Sequence, residues 1–168
     1  DLRGRTFDNP QPILDALGLL PELETCDLCG SGLGDAQMET LMAAFPNVKF
    51  IWLVRVGAWE IRTDITAFST GNRKTFPDGM GGVVDERIRS LTDANTGALR
   101  YCTELVYLDL GHNKITDLSF VSSLPKLRAL IVAINKIEDI SPLRQLANLE
   151  YLEMFMNSVT DLAPLTEL

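Results

Sequence analysis

Apolar and polar positions repeat with one fixed period in the C-terminal part of the chain. Leu105, Leu127 and Leu149 begin three segments spaced 22 residues apart. Each segment has the order Leu-x-x-Leu-x-apolar-x-x-Asn-x-Ile/Val-x-Asp-Leu/Ile. The alternation around the second leucine predicts a short strand with one buried face. One such unit cannot bury that face by itself, so the copies must stack on one another.

Two polar residues recur in register within these segments. A buried asparagine has two donors and an acceptor, so a stack of asparagines satisfies the backbone groups that successive turns leave unpaired. The aspartate that follows accepts hydrogen bonds from the free N–H groups of a short helical turn. Pro142 and Pro164 suit the first positions of such turns. The predicted structural ladder consists of Asn113, Asn135, Asn157, Asp117, Asp139 and Asp161.

These segments resemble the 22-residue, internalin-like leucine-rich repeats of bacterial surface proteins. The resemblance covers residues 105–168, and the last copy is truncated. It implies an α/β repeat fold: a right-handed leucine-rich-repeat solenoid with a parallel β-sheet on its concave side and short helices or turns on its convex side. It also implies a surface that binds other molecules, and secretion or display on a bacterial cell surface.

Two weaker copies of the pattern lie in residues 23–56. In the first copy, Leu23 begins a strand, Ser31 takes the asparagine position and a helix is predicted over 36–45. The strand pattern begins again at Val48, 25 residues after Leu23, and these two copies are therefore longer than the later ones. Residues 1–22 are predicted to form an N-terminal cap that covers the first copy.

Residues 57–104 interrupt the repeats. The alternating segments 48–56 and 59–65 are separated by Gly57 and Ala58, which predicts a β-hairpin with a type II′ turn. Residues 70–82 are rich in turn-forming residues and predict a loop, whereas no element is predicted for 83–91. Asp93 is expected to cap a helix over 94–101 that leads into the first regular repeat.

Charge and composition narrow the range of functions. Lys and Arg number 15 against 23 Asp and Glu, which gives a net charge of −8. This balance argues against binding to nucleic-acid phosphates and against electrostatic attachment to an anionic membrane. The apolar stretches are strand-sized and far shorter than the roughly 18 residues that a membrane helix needs.

Several local motifs are better explained by the repeats than by a metal, dinucleotide or calcium site. Cys26 and Cys29 form a C-x-x-C pair within a predicted strand, where side chains three apart point to opposite faces, so we expect Cys26 in the core and no metal site. The glycine-rich run 30–34 departs from the spacing of a dinucleotide-binding loop. Residues 93–104 imitate a calcium loop, but Ala98 stands where the loop needs glycine.

Catalysis has little basis in the sequence. His112 is the only histidine, and any Ser-His or Cys-His mechanism would depend on it. No nucleophile motif accompanies it, so we predict a chain without enzymatic activity and without a cofactor.

The facing of the strands predicts a binding surface. Residues at the third, fifth and seventh repeat positions should point out of the concave sheet, where aromatic side chains mark an interaction site. Acidic groups among them favour a partner with basic groups. Alternatively, the hairpin and loop at 57–82 cover part of this surface. The predicted ligand-binding residues are Phe50, Trp52, Tyr107, Asp109, Ile131, Tyr151, Glu153 and Phe155.

The leading hypothesis is a recognition module that binds a protein or peptide through this concave sheet. A carbohydrate-binding surface is an alternative, because aromatic rings and carboxylates also suit sugars. A structural scaffold or spacer in a larger multidomain surface protein is another.

Overall fold

The computed structural model describes residues 2, 4–71 and 91–168. The loop predicted over 70–82 and the unassigned segment 83–91 lie almost entirely outside these residues. The chain divides into two compact units. The N-terminal unit comprises Asp1–Val54 and Glu60–Thr63, and the repeat unit comprises Arg55–Trp59 and Asp64–Leu168.

The N-terminal unit contains two strands that pair in parallel, with a helix between them in sequence. Residues at helical spacing, including Met38 and Leu41, bury one face of the helix, and Gly34 donates its N–H to the Gln37 side chain where the helix begins. A shorter helix precedes the first strand and buries Ile13. The elements are α1 (Gln11–Leu17), β1 (Thr25–Asp27), α2 (Asp35–Ala44) and β2 (Lys49–Ile51).

The predicted hairpin is present and begins soon after β2. Strands β3 (Leu53–Val56) and β4 (Trp59–Arg62) form a two-stranded sheet. Gly57 has a φ of 59°, whereas Ala58 is not among the described residues with positive φ. This combination is that of a type II′ turn, in which only the first central residue needs the left-handed region.

The repeat unit contains a parallel sheet in which the strands follow one another in chain order. Each of the last three strands is followed by a 3-10 helix, so a strand, a turn and a short helical segment make one repeat. The elements are β5 (Ala67–Ser69), α3 (Asp93–Thr96), β6 (Tyr107–Asp109), β7 (Ala129–Ile131), β8 (Tyr151–Glu153) and the 3-10 helices Gly97–Tyr101, Ser119–Ser123, Ser141–Gln145 and Ala163–Glu167.

The inward side chains of this sheet lie in one row. Phe68, Leu108, Leu130 and Leu152 are aligned across β5, β6, β7 and β8. Leu108 and Leu130 are fully buried. The predicted stacking of equivalent leucines is therefore confirmed.

The asparagine ladder is also confirmed. The Asn135 amide nitrogen donates to Val132 O of its own repeat at 3.0 Å and to Leu110 O of the preceding repeat at 2.9 Å. Its carbonyl oxygen accepts from the N–H of Ile115 at 3.0 Å. Asn157 makes the corresponding bonds one repeat later. Each amide thus joins two successive repeats, which explains why this position must be asparagine.

The recurring aspartates anchor the 3-10 helices. Asp117 accepts from the N–H and hydroxyl of Ser119, and Asp139 accepts the same pair from Ser141 at 2.7 and 2.8 Å. Asp161 accepts from the N–H of Ala163. These bonds satisfy donors that the start of a helical turn leaves open, as predicted.

Two features differ from the expectation. Thr92, not Asp93, is the N-cap of α3, because the Asp93 carboxylate instead accepts from the backbone N–H groups of Thr116 and Asp117. Strand β5 was not predicted at all, since Ala67–Ser69 contains no leucine and lies far from the next repeat in sequence. Its Phe68 nevertheless takes the leucine position in the buried row.

Candidate functional site

The outward sheet face is the set of side chains on the side of β6–β8 opposite the leucine row. Within the last three repeats, the expected rows are present. Tyr107, Ala129 and Tyr151 are aligned across the three strands. Asp109, Ile131 and Glu153 form the neighbouring row. The outward sheet face comprises Tyr107, Asp109, Gly111, Ala129, Ile131, Ala133, Tyr151, Glu153 and Phe155.

Asp109 is not available to a partner, contrary to the expectation. Its side chain is only 3% exposed. One carboxylate oxygen accepts from the Ser69 hydroxyl at 3.2 Å and the other accepts from the Gly111 N–H at 3.0 Å. The residue therefore uses its charge to hold β5 and the turn after β6, and it is a structural group.

Ile131 is also buried, at 3% exposure. It lies on the central strand β7, with β6 and β8 on either side. One of its methyl groups lies only 3.6 Å from the place a side-chain carbon would occupy at Gly111. Because it is buried, Ile131 is a packing residue and not the ligand contact that the sequence predicts.

Exposed aromatic groups of this face lie on the last strand and just after it. Tyr151 is 51% exposed and Phe155 is 55% exposed. The Tyr151 hydroxyl donates to Glu153 Oε2 at 2.9 Å. Tyr107, which lies in the same row two strands away on β6, is half-buried. Of the predicted residues, Tyr151, Glu153 and Phe155 are therefore brought together at the surface.

Met156 is a further exposed apolar residue next to this group in sequence, and strand alternation does not select it. It directly follows Phe155 and is 69% exposed. Its backbone has a φ of 56°, and the equivalent residues His112 and Ile134 also have positive φ. The sequence signal for this residue is its position immediately before the ladder asparagine, where the backbone has positive φ in three successive repeats. We call Tyr151, Glu153, Phe155 and Met156 the aromatic patch.

Phe50 and Trp52 do not contribute to the outward sheet face, contrary to the expectation. Both belong to the N-terminal unit, and both are buried. Cys26 pairs with Phe50, whereas the sequence pattern would pair it with Ile51. A shift of one residue moves side chains to the opposite face of a strand, so Phe50 points inward beside Cys26.

Trp52 has a structural partner within the N-terminal unit. Its indole N–H donates to Asp35 Oδ1 at 3.2 Å, and its backbone N–H donates to the Thr63 hydroxyl. The indole ring therefore packs against the start of α2 and is not exposed on a binding surface.

The hairpin covers part of the strand face in the N-terminal unit. From β4, the Arg62 guanidinium donates to Asp27 Oδ2 at 3.1 Å from both terminal nitrogens and to the Cys29 sulfur at 3.3 Å. Burial would raise the pKa of Asp27, but hydrogen bonds from Cys29 and Arg62 outweigh it and hold the pKa below its ordinary value. Within the N-terminal unit, Arg62 of the hairpin thus covers Asp27 and Cys29.

The remaining motifs resolve into structural roles. Cys26 lies in the core as predicted, and its burial raises the pKa of its thiol. In the calcium-like segment, Asp93 binds backbone groups near Thr116, whereas Glu104 pairs with Lys126 at 2.7 Å. These carboxylates thus have separate partners within the protein.

Two kinds of site are absent from the residues that the structure describes. None of the described helices has the length and apolar character needed to cross a membrane. Within the same ranges, no group of three or more His, Cys, Asp or Glu side chains is placed to hold a metal ion.

Comparisons with known proteins agree with the repeat architecture. The family model for leucine-rich repeats (2 copies) matches residues 103–145. An internalin (inlF) from Listeria monocytogenes is 38% identical over 46% of this chain and 22% of its own, with a TM-score of 0.44. An internalin C2 (inlC2) from the same organism is 26% identical over 94% of this chain and 53% of its own, with a TM-score of 0.42. A comparison with curated proteins found no match.

The 22-residue period, the asparagine ladder and the family model identify leucine-rich repeats in the C-terminal part of the chain, where the family model matches residues 103–145. The chain spans about half or less of the length of the two internalins it resembles.

Proposed function

We propose that the repeat unit is a non-enzymatic recognition module that binds a protein or peptide partner through its outward sheet face. The observation that supports this most directly is the aromatic patch. Tyr151, Phe155 and Met156 all lie in the last repeat, and each of them is at least half exposed. Exposed aromatic groups of this kind supply much of the binding energy in protein interfaces, and contiguous apolar surface is typical of interaction sites.

The rigid frame beneath the patch also supports the proposal. Asn157 ties the turn after β8 to Val132 O of the preceding repeat at 2.9 Å. Tyr151 continues the row that begins with Tyr107 and Ala129. Side chains on an ordered sheet lose little freedom on binding, and such preorganisation increases affinity.

A carbohydrate ligand is the second candidate. The Tyr151 hydroxyl donates to Glu153 at 2.9 Å, so a ring and a carboxylate lie side by side on the surface. A ring stacks on the apolar face of a sugar and a carboxylate accepts from its hydroxyls, which is the usual combination of groups in such sites.

We infer no catalytic role for the chain. The backbone N–H of His112 donates to Ala133 O at 2.8 Å in the turn before Asn113. The Asp109 carboxylate accepts hydrogen bonds from Ser69 and Gly111. We also infer that the protein acts outside the cell or on a bacterial surface, in keeping with the resemblance of its repeats to those of internalins.

The test is a selection of binders followed by matched substitutions. A random peptide library is selected on the immobilised 168-residue chain, and the selected peptides are measured by calorimetry. Tyr151→Ala and Phe155→Ala should each weaken binding by about tenfold or more, since truncation of an aromatic anchor typically costs above 1 kcal/mol.

The control is Leu162→Ala. Leu162 lies in the same repeat and is similarly exposed, but it is the N-cap of the last 3-10 helix and lies outside the strand. We expect unchanged affinity in this variant and a nearly unchanged melting temperature in all three. Peptides that bind the three variants alike would refute the proposal. Glycans that bind on an array and require Tyr151, without any such peptide, would favour the second candidate.

A further inference from the structure

One row of the outward sheet face places a small side chain between two aromatic ones. Tyr107, Ala129 and Tyr151 are directly aligned across β6, β7 and β8. On the central strand, Ala129 remains partly exposed, whereas the other outward residues, Ile131 and Ala133, are 3% and 1% exposed. The outward sheet face is therefore open above Ala129, and this opening has a tyrosine on each side.

The width of this opening follows from the spacing of the strands. Neighbouring strands lie about 4.8 Å apart, so the backbone positions of Tyr107 and Tyr151 are separated by about 9.6 Å. Side chains stand roughly perpendicular to a sheet, which keeps the two rings at a similar separation. We call the space between these rings, above the methyl group of Ala129, the tyrosine slot.

The Tyr151 ring is held at the border of the tyrosine slot. Its hydroxyl donates to Glu153 Oε2 at 2.9 Å, and both residues belong to β8. This bond directs the ring along its own strand, so the ring does not lean over Ala129. A ligand in the slot contacts only the sides of the rings that border Ala129, and it leaves this hydrogen bond in place.

The tyrosine slot has the dimensions of one aromatic ring. A ring midway between the two tyrosines lies about 4.8 Å from each of them, and aromatic pairs are favourable at centroid separations of roughly 4.5–7 Å. Such a ring makes two aromatic contacts at once and rests on an apolar methyl group. A branched aliphatic side chain fits the slot less well, because it lacks the ring quadrupole that favours aromatic pairs.

We propose that the tyrosine slot binds an aromatic side chain of the partner, placed between Tyr107 and Tyr151 and above Ala129. This inference rests on the proposed function, and it names a residue type that the partner presents to the same face. It also gives the half-buried Tyr107 a part in binding equal to that of the exposed Tyr151.

The experiment uses two small probes with side chains of similar size, one aromatic and one saturated. N-acetyl-phenylalanine amide and N-acetyl-cyclohexylalanine amide are titrated separately into the methyl-labelled 168-residue chain. The aromatic probe should bind about tenfold more tightly, since the saturated probe lacks both ring contacts. Its ring current should shift the NMR signal of the Ala129 methyl group. The Ala67 methyl, in the same row but on the other side of Tyr107, should shift much less.

Substitutions in the row test the position of the bound ring. Ala129→Leu fills the slot and should abolish the preference for the aromatic probe. The matched control is Ala67→Leu, which makes the same change in the same row but outside the slot, and it should keep the preference. Tyr107→Leu and Tyr151→Leu should each remove most of the preference, whereas Phe155→Leu should keep it.

Three results would overturn the inference. These are equal binding of the two probes, an unshifted Ala129 signal with the aromatic probe, and equal effects of Ala129→Leu and Ala67→Leu. The proposed function is tested separately, with selected peptides that need not contain an aromatic residue, so it stands or fails on its own result.

Discussion

The N-terminal unit and the repeat unit are both built from parallel strands, but their repeats differ in regularity. In both, parallel strands stack with an inward apolar row and are followed by a turn. In the repeat unit, Asn135 links two repeats through bonds to Leu110 O, Val132 O and the Ile115 N–H. In the N-terminal unit, Ser31 takes this position, and its hydroxyl accepts from the Leu33 N–H at 3.4 Å.

This difference explains why one unit is regular and the other is not. A side-chain amide can donate and accept at once, so it fixes the spacing between neighbouring repeats. The hydrogen bond of the Ser31 hydroxyl to Leu33 stays within its own repeat. The two repeats of the N-terminal unit are joined by backbone hydrogen bonds, such as that from the Leu28 N–H to Ile51 O at 2.8 Å, and by apolar packing of the buried Cys26 and Phe50. Apolar packing tolerates a longer repeat with a full helix such as α2, and it also tolerates a register that differs by one residue from the sequence pattern.

The largest expected effect comes from removing the ladder amide. Asn135→Ala leaves three carbonyl oxygens and one N–H without this partner, and we expect the free energy of unfolding to fall by about 3 kcal/mol. Ser31→Ala, at the equivalent place in the N-terminal unit, should cost about 1 kcal/mol. Urea unfolding can be followed by the fluorescence of Trp59 in the repeat unit and of Trp52 in the N-terminal unit, each in a variant that lacks the other tryptophan.

The control for the first substitution is Asn148→Ala. Asn148 is exposed and donates to Pro125 O at 2.8 Å, so this variant loses an asparagine outside the ladder. A cost for Asn148→Ala as large as that for Asn135→Ala would show that the ladder has no special importance.

The second prediction concerns strain in the regular turns. Ile134 has a φ of 56°, a region that β-branched residues seldom occupy. Asparagine tolerates this region, and we expect Ile134→Asn to raise the free energy of unfolding by about 1 kcal/mol. The same substitution at Val159, which does not have positive φ, should not stabilise the protein. A loss of stability in Ile134→Asn would mean that packing of the isoleucine outweighs its backbone strain.

The smallest effect concerns the ion pair that covers the N-terminal strand face. The pKa of Asp27 lies below its ordinary value of 3.8, so the carboxylate stabilises the folded state above that pH, and the contribution is lost as the pH falls through the folded pKa. Arg62 is 39% exposed in this pair, and solvent screening limits the cost of Arg62→Gln at pH 7 to about 0.5 kcal/mol.

The cost should disappear when Asp27 is protonated. Unfolding of the wild type and Arg62→Gln is compared at pH 7 and at pH 2, with the fluorescence of Trp52 as the signal. Arg128→Gln, which breaks the exposed pair with Glu150 in the repeat unit, serves as the comparison. An Arg62→Gln cost that is the same at both pH values would show that the side chain acts through packing and not through charge.

Part of the binding surface was predictable because its geometry is periodic. Tyr151 and Glu153 were placed on one face by the alternation of a strand, and the structure brings them within hydrogen-bond distance. Ile131 has the same repeat position as Glu153 but is buried. The sequence pattern gives the direction of a side chain, whereas its exposure depends on which residues from other parts of the chain pack around it.

The amino-acid sequence by itself determined the strands, the asparagine ladder and the aspartate-anchored turns of residues 105–168. These follow from local backbone requirements that recur every 22 residues, so each copy independently indicates the same structure. The tertiary structure alone decided the pairing of Cys26 with Phe50, the addition of β5 and the burial of Asp109. Each of these depends on a partner distant in sequence, and no local pattern specifies which distant segment will pack there.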